Sequence, residues 1–172
     1  EMLDSRIIEI GLTRTQVDAS FYESLTLTNE PLVMVMNRRH LCGASPEEVR
    51  LAELRAAPII LPLRWKRVFL THCQRAGFTP GVICESDSIV QNVLAVRAGL
   101  GCALLPLSVR SLLPDDGQIV IKKLVEPEIL THTVMSWLKN HTLSAAASHF
   151  VDLFREMFAP EESRGKEEKI SG

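Results

Sequence analysis

The sequence predicts an α/β protein with a doubly wound arrangement, and three features of its hydrophobic pattern lead to that prediction. Strand-length apolar runs alternate with helical segments throughout residues 58–105. Strands separated by helices in this rhythm lie parallel and are joined by right-handed crossovers. Residues 32–36 (LVMVM) are apolar without alternation, which is typical of a strand covered on both faces. At 172 residues and 46% hydrophobic content, the chain can bury a core as one domain or two small lobes.

The elements before residue 58 follow from short local patterns. Residues 2–6 indicate the last turn of a helix, and residues 7–12 (IIEIGL) a strand. The run at 32–36 is expected to be a central strand of a parallel sheet. Ser45 and Pro46 then match a helix cap and a first helical position, and Glu48 stands three residues after the cap. We therefore expect a short helix from there to about residue 56.

The alternating segment contains three strands and two helices. The strands are expected at 58–61, 82–85 and 102–105, and the helices at 66–76 and 89–98. Gly77 and Gly99 end the two helices, while Ser88 and Gln91 form a capping box for the second. Gly99 and Gly101 lie between a helix and a strand, the reverse of the order that a dinucleotide fingerprint requires. Their expected role is to end the helix and allow a tight turn.

The remaining chain is expected to add two strands and one helix. A helical turn to about residue 112 precedes strands at 119–124 and 133–138. From residue 142 to 158, apolar residues at three- and four-residue steps predict a helix with a core-facing stripe. Residues 160–172 are too polar to pack and are predicted to be a disordered tail.

Composition and charge exclude several classes of protein. Lys and Arg total 19 against 21 Asp and Glu, and no face of basic residues stands out, which argues against this segment gripping nucleic acid. No apolar run approaches the roughly 18 to 20 residues that span a bilayer, and the start lacks an export signal pattern. The four cysteines, Cys42, Cys73, Cys84 and Cys102, form no CxxC pair and are expected to be reduced core residues of a cytoplasmic protein.

Candidate ligand contacts come from loops at the carboxyl ends of predicted strands, where ligands collect in parallel α/β sheets. The six candidates are Arg14, Pro62, Leu63, Arg64, Trp65 and Ser86. Arg64 stands before a helix whose free amides attract anions, so it suggests recognition of a small carboxylate, with Trp65 as a flat apolar wall. The alternative is that both arginines are merely solvated, that Trp65 packs in the core and that Ser88, in the same loop as Ser86, only caps a helix.

Catalytic and metal-binding patterns are absent or weak in the sequence. There is no GxSxG, no HExxH and no glycine loop for phosphate, and no cysteine has an activating neighbour. His72 and Cys73 are adjacent, so on a helix they point about 100 degrees apart and do not make a zinc site. We expect a ligand-binding protein without cofactor or metal. An enzyme that uses Arg64, Ser86 or Cys73 stays an alternative.

Two segments resemble the hallmark of one protein family. AGFTP at 76–80 and VLAVRAGLGCALLP at 93–106 are similar to the effector-binding domain of LysR-type transcriptional regulators. EPLV at 30–33 and RHL at 39–41 agree in order and spacing, so the resemblance covers nearly all of residues 1–158. Glu9 stands where the family usually has Asp, and Lys66 and Arg67 make the candidate loop unusually basic.

The resemblance implies a fold like that of periplasmic binding proteins: two α/β lobes joined by two crossing segments, with a small effector in the cleft between them. Lobe I would comprise residues 1–36 and, after its return, 106–159 with the C-terminal helix; lobe II would be 37–105. The first lobe is expected to be incomplete, because the family's opening strand-helix-strand-helix has no counterpart here.

The resemblance also implies partners. These are a small, anionic effector, a second copy of the chain in a dimer or tetramer, and DNA only through an N-terminal helix-turn-helix that this chain lacks. A solute-binding protein of a transport system, which shares the two-lobe architecture, is the alternative.

Overall fold

The fold is given by a computed structural model, which describes residues 2–14, 17–114 and 116–158. The strands in that part are β1 (Gly11–Thr13), β2 (Tyr22–Asn37), β3 (Glu48–Arg50), β4 (Pro58–Leu61), β5 (Gly81–Glu85), β6 (Cys102–Pro106), β7 (Ile119–Val125) and β8 (Leu130–Leu138). The α-helices are α1 (Leu63–Arg75), α2 (Ile89–Arg97) and α3 (Ala145–Phe158), and 3-10 helices cover Arg38–His40, Leu51–Leu54 and Leu107–Leu112. The predicted tail at 160–172 lies outside the described residues.

The chain divides into two compact units. Unit 1 comprises Glu1–Asn29 and His132–Gly172, and unit 2 comprises Glu30–Thr131. Unit 2 contains the whole of the segment 37–105 that the sequence predicts as the second lobe, together with residues on either side. The predicted lobe boundaries themselves stay a prediction.

Unit 2 is built on a mixed sheet in which the strands of the alternating segment run parallel. β4 pairs in parallel with β5 and β6, as the helix-strand alternation predicts. β2 is antiparallel to both of its neighbours in this unit, with Val33 opposite Leu105 of β6 and Lys123 of β7. The expectation of a parallel central strand at 32–36 is therefore wrong in direction. An unbroken apolar run indicates that both faces of a strand are buried, and both faces can be buried whether the strand is parallel or antiparallel to its neighbours.

The core of unit 2 lies on both faces of this sheet. On one face, α1 covers Leu32, Met34 and Met36 of β2 with Trp65 and Phe69. The opposite face has a second cluster, formed by Val33, Val35, Ile60, Val93, Val96, Ala103, Leu105 and Val109. Alternate residues of β2 thus face α1 and α2, which explains why its sequence shows no polar alternation.

Gly101 allows a close approach between neighbouring backbones. A Cβ atom built there would fall far inside van der Waals contact with the backbone carbonyl oxygen of Pro58 on β4. Gly99, two residues earlier, ends α2 with a φ of +74°, a conformation that favours glycine. The predicted role of Gly99 as the end of the helix is confirmed. The tight turn expected at Gly101 is not found, and what requires glycine there is the contact with Pro58.

The helix predicted from Ser45 to about residue 56 is wrong. Ser45 does accept hydrogen bonds from the Glu47 and Glu48 amides, at 3.4 and 3.2 Å, but these bonds form a turn. β3 and the 3-10 helix Leu51–Leu54 follow instead, because β3 pairs in parallel with β7 and its backbone bonds are satisfied there.

The loop before β3 is anchored by Lys122 of β7. This lysine is 2% exposed, and its ammonium group donates to the carbonyl oxygens of Cys42 and Gly43, each at 2.8 Å, and of Ser45 at 2.5 Å. Within the described residues, the hydrogen bonds that stabilise the Lys122 charge all come from backbone carbonyl oxygens.

Unit 1 has a sheet in the order β1, β8, β2, and α3 packs against it. β1 and β8 are antiparallel, with Gly11 opposite Ser136, and Met135 and Trp137 of β8 form a core with Val151 of α3. The first predicted strand, at 7–12, is in fact the three-residue β1, and residues 2–6 form turns, not a helix. The early part of β2 was not expected, since residues 22–29 are largely polar.

Glu9 caps α3 within unit 1. Its carboxylate accepts from the Ser144 backbone amide and from the Ser144 hydroxyl, both at 2.7 Å. These two hydrogen bonds hold the pKa of Glu9 below its usual range, the backbone bond contributing most. A carboxylate at this position thus holds the start of the last helix.

The cysteines are free thiols, as expected, but differ in burial. Cys73 and Cys102 are buried and Cys42 is half-buried, whereas Cys84 on the edge strand β5 is exposed. The expectation that Cys84 belongs to the core is wrong, because that residue stands on an outer strand. Within the described residues, no helix has both the length and the apolar character needed to cross a membrane.

Candidate functional site

The candidate site lies where β4 and β5 end in unit 2. Because the two strands are parallel and Leu61 is opposite Glu85, the segments that follow them meet at one edge of the sheet. Pro62 is the cap residue of α1, and Leu63, Arg64 and Trp65 form its first turn. The helix predicted from residue 66 therefore starts three residues earlier, and these candidates lie on a helix, not in a loop.

Arg64 is engaged by Asp87, the residue before the cap of α2. One carboxylate oxygen of Asp87 accepts from the Arg64 backbone amide at 3.1 Å and from its Nε at 3.2 Å. Arg64 Nη2 lies 3.5 Å from the backbone oxygen of Asp87. The hydrogen bond from the Arg64 backbone amide contributes most to holding the pKa of the Asp87 carboxyl below its usual range. Burial opposes this lowering, and the Arg64 side chain adds to it.

A second ion pair runs parallel to the first. Lys66 Nζ lies 2.8 Å from one oxygen of Glu85 and 2.9 Å from the other. The basic character that Lys66 lends to this segment is thus balanced by a carboxylate at the end of β5. Both pairs remain substantially exposed, with Arg64 and Asp87 side chains 36% and 42% accessible.

The apolar candidates take different positions. Trp65 is 6% exposed and points from α1 into the core of unit 2. The Arg64 guanidinium lies 5.7 Å from the centre of the Trp65 ring. Leu63 is 51% exposed and presents its side chain at the start of the helix. Leu63 thus supplies the accessible apolar surface that the sequence argument assigned to Trp65. Contact of either residue with a ligand stays a prediction.

Ser86 takes part in the turn that leads into α2. Its hydroxyl donates to Gln91 Oε1 at 2.8 Å and accepts from the Ser88 amide at 3.2 Å. Ser88 accepts from the Gln91 amide at 3.3 Å, which confirms it as the cap of α2. Ser86 is half-buried, and its hydroxyl is already used as both donor and acceptor.

Asn92 is a buried residue that the sequence argument missed. It is 1% exposed, and its Nδ2 donates to the Ser86 carbonyl at 2.9 Å. Its Oδ1 is buried and has no hydrogen-bond donor among the described residues. The sequence did contain one indication of this: Asn92 stands directly before Val93, on the side of α2 that is otherwise apolar. Asp87 was missed as well, because its contact with Arg64 joins residues 23 positions apart.

The end of β6 completes this edge of unit 2. Glu30 accepts from the Ser108 backbone amide at 2.6 Å and from its hydroxyl at 3.1 Å. Because β2 is antiparallel to β6, its residue Leu32 lies opposite Pro106. The middle of β2, at Glu30, is thereby tied to the turn that follows β6.

Arg14 lies in unit 1, directly after β1, and is half-buried. Its predicted part in ligand binding stays a prediction. The described residues contain no group of three or more His, Cys, Asp or Glu placed to hold a metal ion. Cys73 is buried beside His72, and burial raises the pKa of its thiol to about 11.

Comparison with known proteins gives consistent results. The family described as LysR substrate binding domain matches residues 1–159. The HTH-type transcriptional regulator YwbI of Bacillus subtilis is 30% identical over 152 residues, which are 84% of this chain and 48% of YwbI. BsdA, an HTH-type transcriptional regulator from the same organism, is 25% identical over 161 residues, 90% of this chain and 54% of BsdA. This chain spans about half the length of these curated relatives.

Solved structures agree in fold. HinK, a LysR family transcriptional regulator from Pseudomonas aeruginosa, superposes with a TM-score of 0.74 at 26% identity, covering 91% of this chain and 56% of HinK. The CcmR regulatory domain of Synechocystis PCC6803, solved in complex with 2-PG, gives a TM-score of 0.77 at 15% identity and covers 92% and 77%. The α/β fold expected from the sequence, that of periplasmic binding proteins, is confirmed.

Proposed function

The chain belongs to the LysR substrate binding domain family, and on that premise we propose that it senses a small molecule for a transcriptional regulator. The effector would bind at the carboxyl edge of the unit 2 sheet and shift the population of the regulator's conformations. The DNA contact would be made by a part of the regulator outside this chain, in the bacterial cytoplasm. The relatives are transcriptional regulators, so a transport solute-binding protein is no longer the alternative.

One observation carries the location of the site. The first turn of α1 and the turn before α2 meet at the ends of two parallel strands, with accessible polar and apolar groups on both. Leu63 offers exposed apolar surface, and Arg64 offers a guanidinium fork suited to planar acid or amide groups. Pro62, Trp65 and Ser86 would shape the site from behind, since they are buried or half-buried.

Self-association is the second part of the proposal. Val90 and Leu94 are one turn apart on α2, and their side chains are 62% and 55% exposed. Exposed apolar residues that adjoin on the outer face of a helix support a surface that a partner would cover. We therefore place a contact between copies of this chain on the outer face of α2.

A thermal-shift screen of small organic acids, amides and alcohols tests the site. A ligand at about 100 times its dissociation constant stabilises the folded chain by roughly 2.7 kcal/mol, an easily measured shift. The shift of each hit is expected to fall strongly in Arg64→Ala. Arg67→Ala, a change at an exposed arginine one turn away on α1, is the matched control and should leave the shift in place. If every hit keeps its full shift in Arg64→Ala, the effector does not bind at this edge.

A further inference from the structure

The amino end of α1 already holds an anion, the carboxylate of Asp87. Its Oδ1 is 3.1 Å from the Arg64 amide and 3.2 Å from Arg64 Nε. These are the donors that the acid group of an effector would use, because the first amides of a helix and a guanidinium both favour negative charge. The position that the sequence suggests for a carboxylate ligand is therefore occupied by a side chain of the same chain.

The neighbouring groups do not offer a free substitute. Lys66 is paired with Glu85 at 2.8 Å, and the hydroxyl of Ser86 is bonded to Gln91 and Ser88. Each of the two cations at the start of α1 is thus paired with one carboxylate. Arg64 is paired with Asp87, which follows β5, and Lys66 with Glu85, the last residue of β5. An incoming acid would find no unmatched positive charge on Arg64 or Lys66.

We propose that Asp87 is a tethered competitor that controls whether acids bind at this edge: an acidic effector reaches Arg64 only when the Asp87 carboxylate has moved away. This inference rests on the proposed function and names its specificity-determining residue. Both side chains are about two-fifths exposed, so the pair can open without unfolding the core. Ligands without an acid group do not compete with Asp87 and are not subject to this control.

The size of the effect follows from the fraction of time that Arg64 is free. If the pair is open one tenth of the time, the apparent dissociation constant of an acid is about tenfold larger than its intrinsic value. Asp87→Asn keeps the shape of the side chain and removes its charge. A neutral acceptor binds a guanidinium roughly half as strongly as a charged one does. Halving the energy of the pair raises the open fraction from one tenth to about one quarter, so the variant should bind acids about 2.5-fold more tightly.

The test is a titration of the full chain with sodium acetate, followed by nitrogen-proton spectra that resolve Arg64 Nε and its backbone amide. Sodium chloride at the same ionic strength corrects for screening. Asp87→Asn is expected to show saturable shifts at both Arg64 groups at about 2.5-fold lower acetate than the unchanged chain. Glu85→Gln is the control, because it removes the same charge from the same segment but leaves the Arg64 pair intact. At the two Arg64 signals it should respond to acetate like the unchanged chain.

Two results overturn the proposal. One is an unchanged acetate affinity in Asp87→Asn, and the other is an equal gain in Glu85→Gln, which would reflect general charge alone. Asp87→Ser, which keeps a small hydrogen-bond acceptor for the start of α1, serves as a second variant and should show the same gain. The proposed function fails by a different result, namely ligand stabilisation that is indifferent to Arg64→Ala. The two failures are therefore distinguishable.

Discussion

Replacing Lys122 with methionine should destabilise unit 2 by about 3 kcal/mol. The methionine keeps most of the apolar stem, so the core contacts of the stem are largely retained. What is lost are hydrogen bonds from the buried ammonium to the carbonyl oxygens of Cys42, Gly43 and Ser45. The change isolates the part of the stability that depends on this one charge.

The magnitude follows from what each carbonyl can do afterwards. Ser45 is exposed, so its carbonyl regains water, whereas Cys42 and Gly43 are half-buried. Two carbonyls without partners cost about 1 to 3 kcal/mol each. Removal of a desolvated ammonium returns part of that cost. The net value of about 3 kcal/mol lies well above the effect of an ordinary surface change.

Equilibrium urea unfolding measures this loss. The chain has two tryptophans, Trp65 in unit 2 and Trp137 in unit 1, so a Trp137→Phe background restricts the fluorescence signal to unit 2. Lys123→Met is the control, since the side chain of Lys123 is 48% exposed and pairs with Glu128 on the surface. Such a pair contributes about 0 to 1 kcal/mol. Equal destabilisation by the two variants, at unchanged m-value, would refute the reasoning.

Two further predictions concern unit 2. Gly101→Ala should destabilise unit 2 by about 1 to 3 kcal/mol in the same unfolding assay, because the added Cβ meets the Pro58 carbonyl. Gly81→Ala is the control, since its Cβ would make only an ordinary contact at 3.8 Å, and it should cost far less. A similar loss of stability in both variants would contradict this explanation. The Cys42 thiol should be alkylated by iodoacetamide with a midpoint at lower pH than an ordinary thiol, since the neighbouring Cys102 thiol and the charge of Lys122 lower its pKa. The alkylation rate is measured in a Cys84→Ser background, which leaves Cys42 as the accessible thiol because Cys73 and Cys102 are buried. The pH midpoint should rise in Lys122→Met. A midpoint that stays the same in this variant would show that the Lys122 charge does not lower the pKa of Cys42.

The segment from β4 to β6 could be predicted because its signals are local. Gly77 and Gly99 end the helices within the residues where they stand, and Ser88 caps α2 through the next three residues. Such signals act over one turn and do not depend on the rest of the fold. The boundaries of β4 and the order of the elements after it accordingly agree with the structure.

Elsewhere the outcome depends on partners that are distant in the sequence. Residues 45–56 carry a helix start signal, yet pairing of β3 with β7 satisfies the backbone of 48–50 in a strand. The exposure of Cys84 follows from the position of β5 at the end of the unit 2 strand order, which its own sequence does not reveal. Propensity is a weak guide where tertiary pairing competes with it.

For the candidate site, the sequence could predict that the two candidate segments lie side by side, but it could not predict the ion pair between them. The rule that ligands collect at the carboxyl ends of parallel strands identified the segments around Arg64 and Ser86. The pairing of Arg64 with Asp87 depends on how the two parallel strands place their following turns side by side. A pattern read along one chain does not contain that distance, so the arginine looked available for a ligand.

Two exposed ion pairs join the first turn of α1 to the segment from β5 to α2. They also affect how binding preferences can diverge among descendants of one gene. Each carboxylate is the counter-ion of one cation, and such exposed pairs contribute little to folding. A single-nucleotide change that neutralises Asp87 therefore uncovers the charge of Arg64, while the stability of the scaffold is largely kept. New preferences for acidic metabolites are accessible in one mutational step, and the reverse step restores the original selectivity.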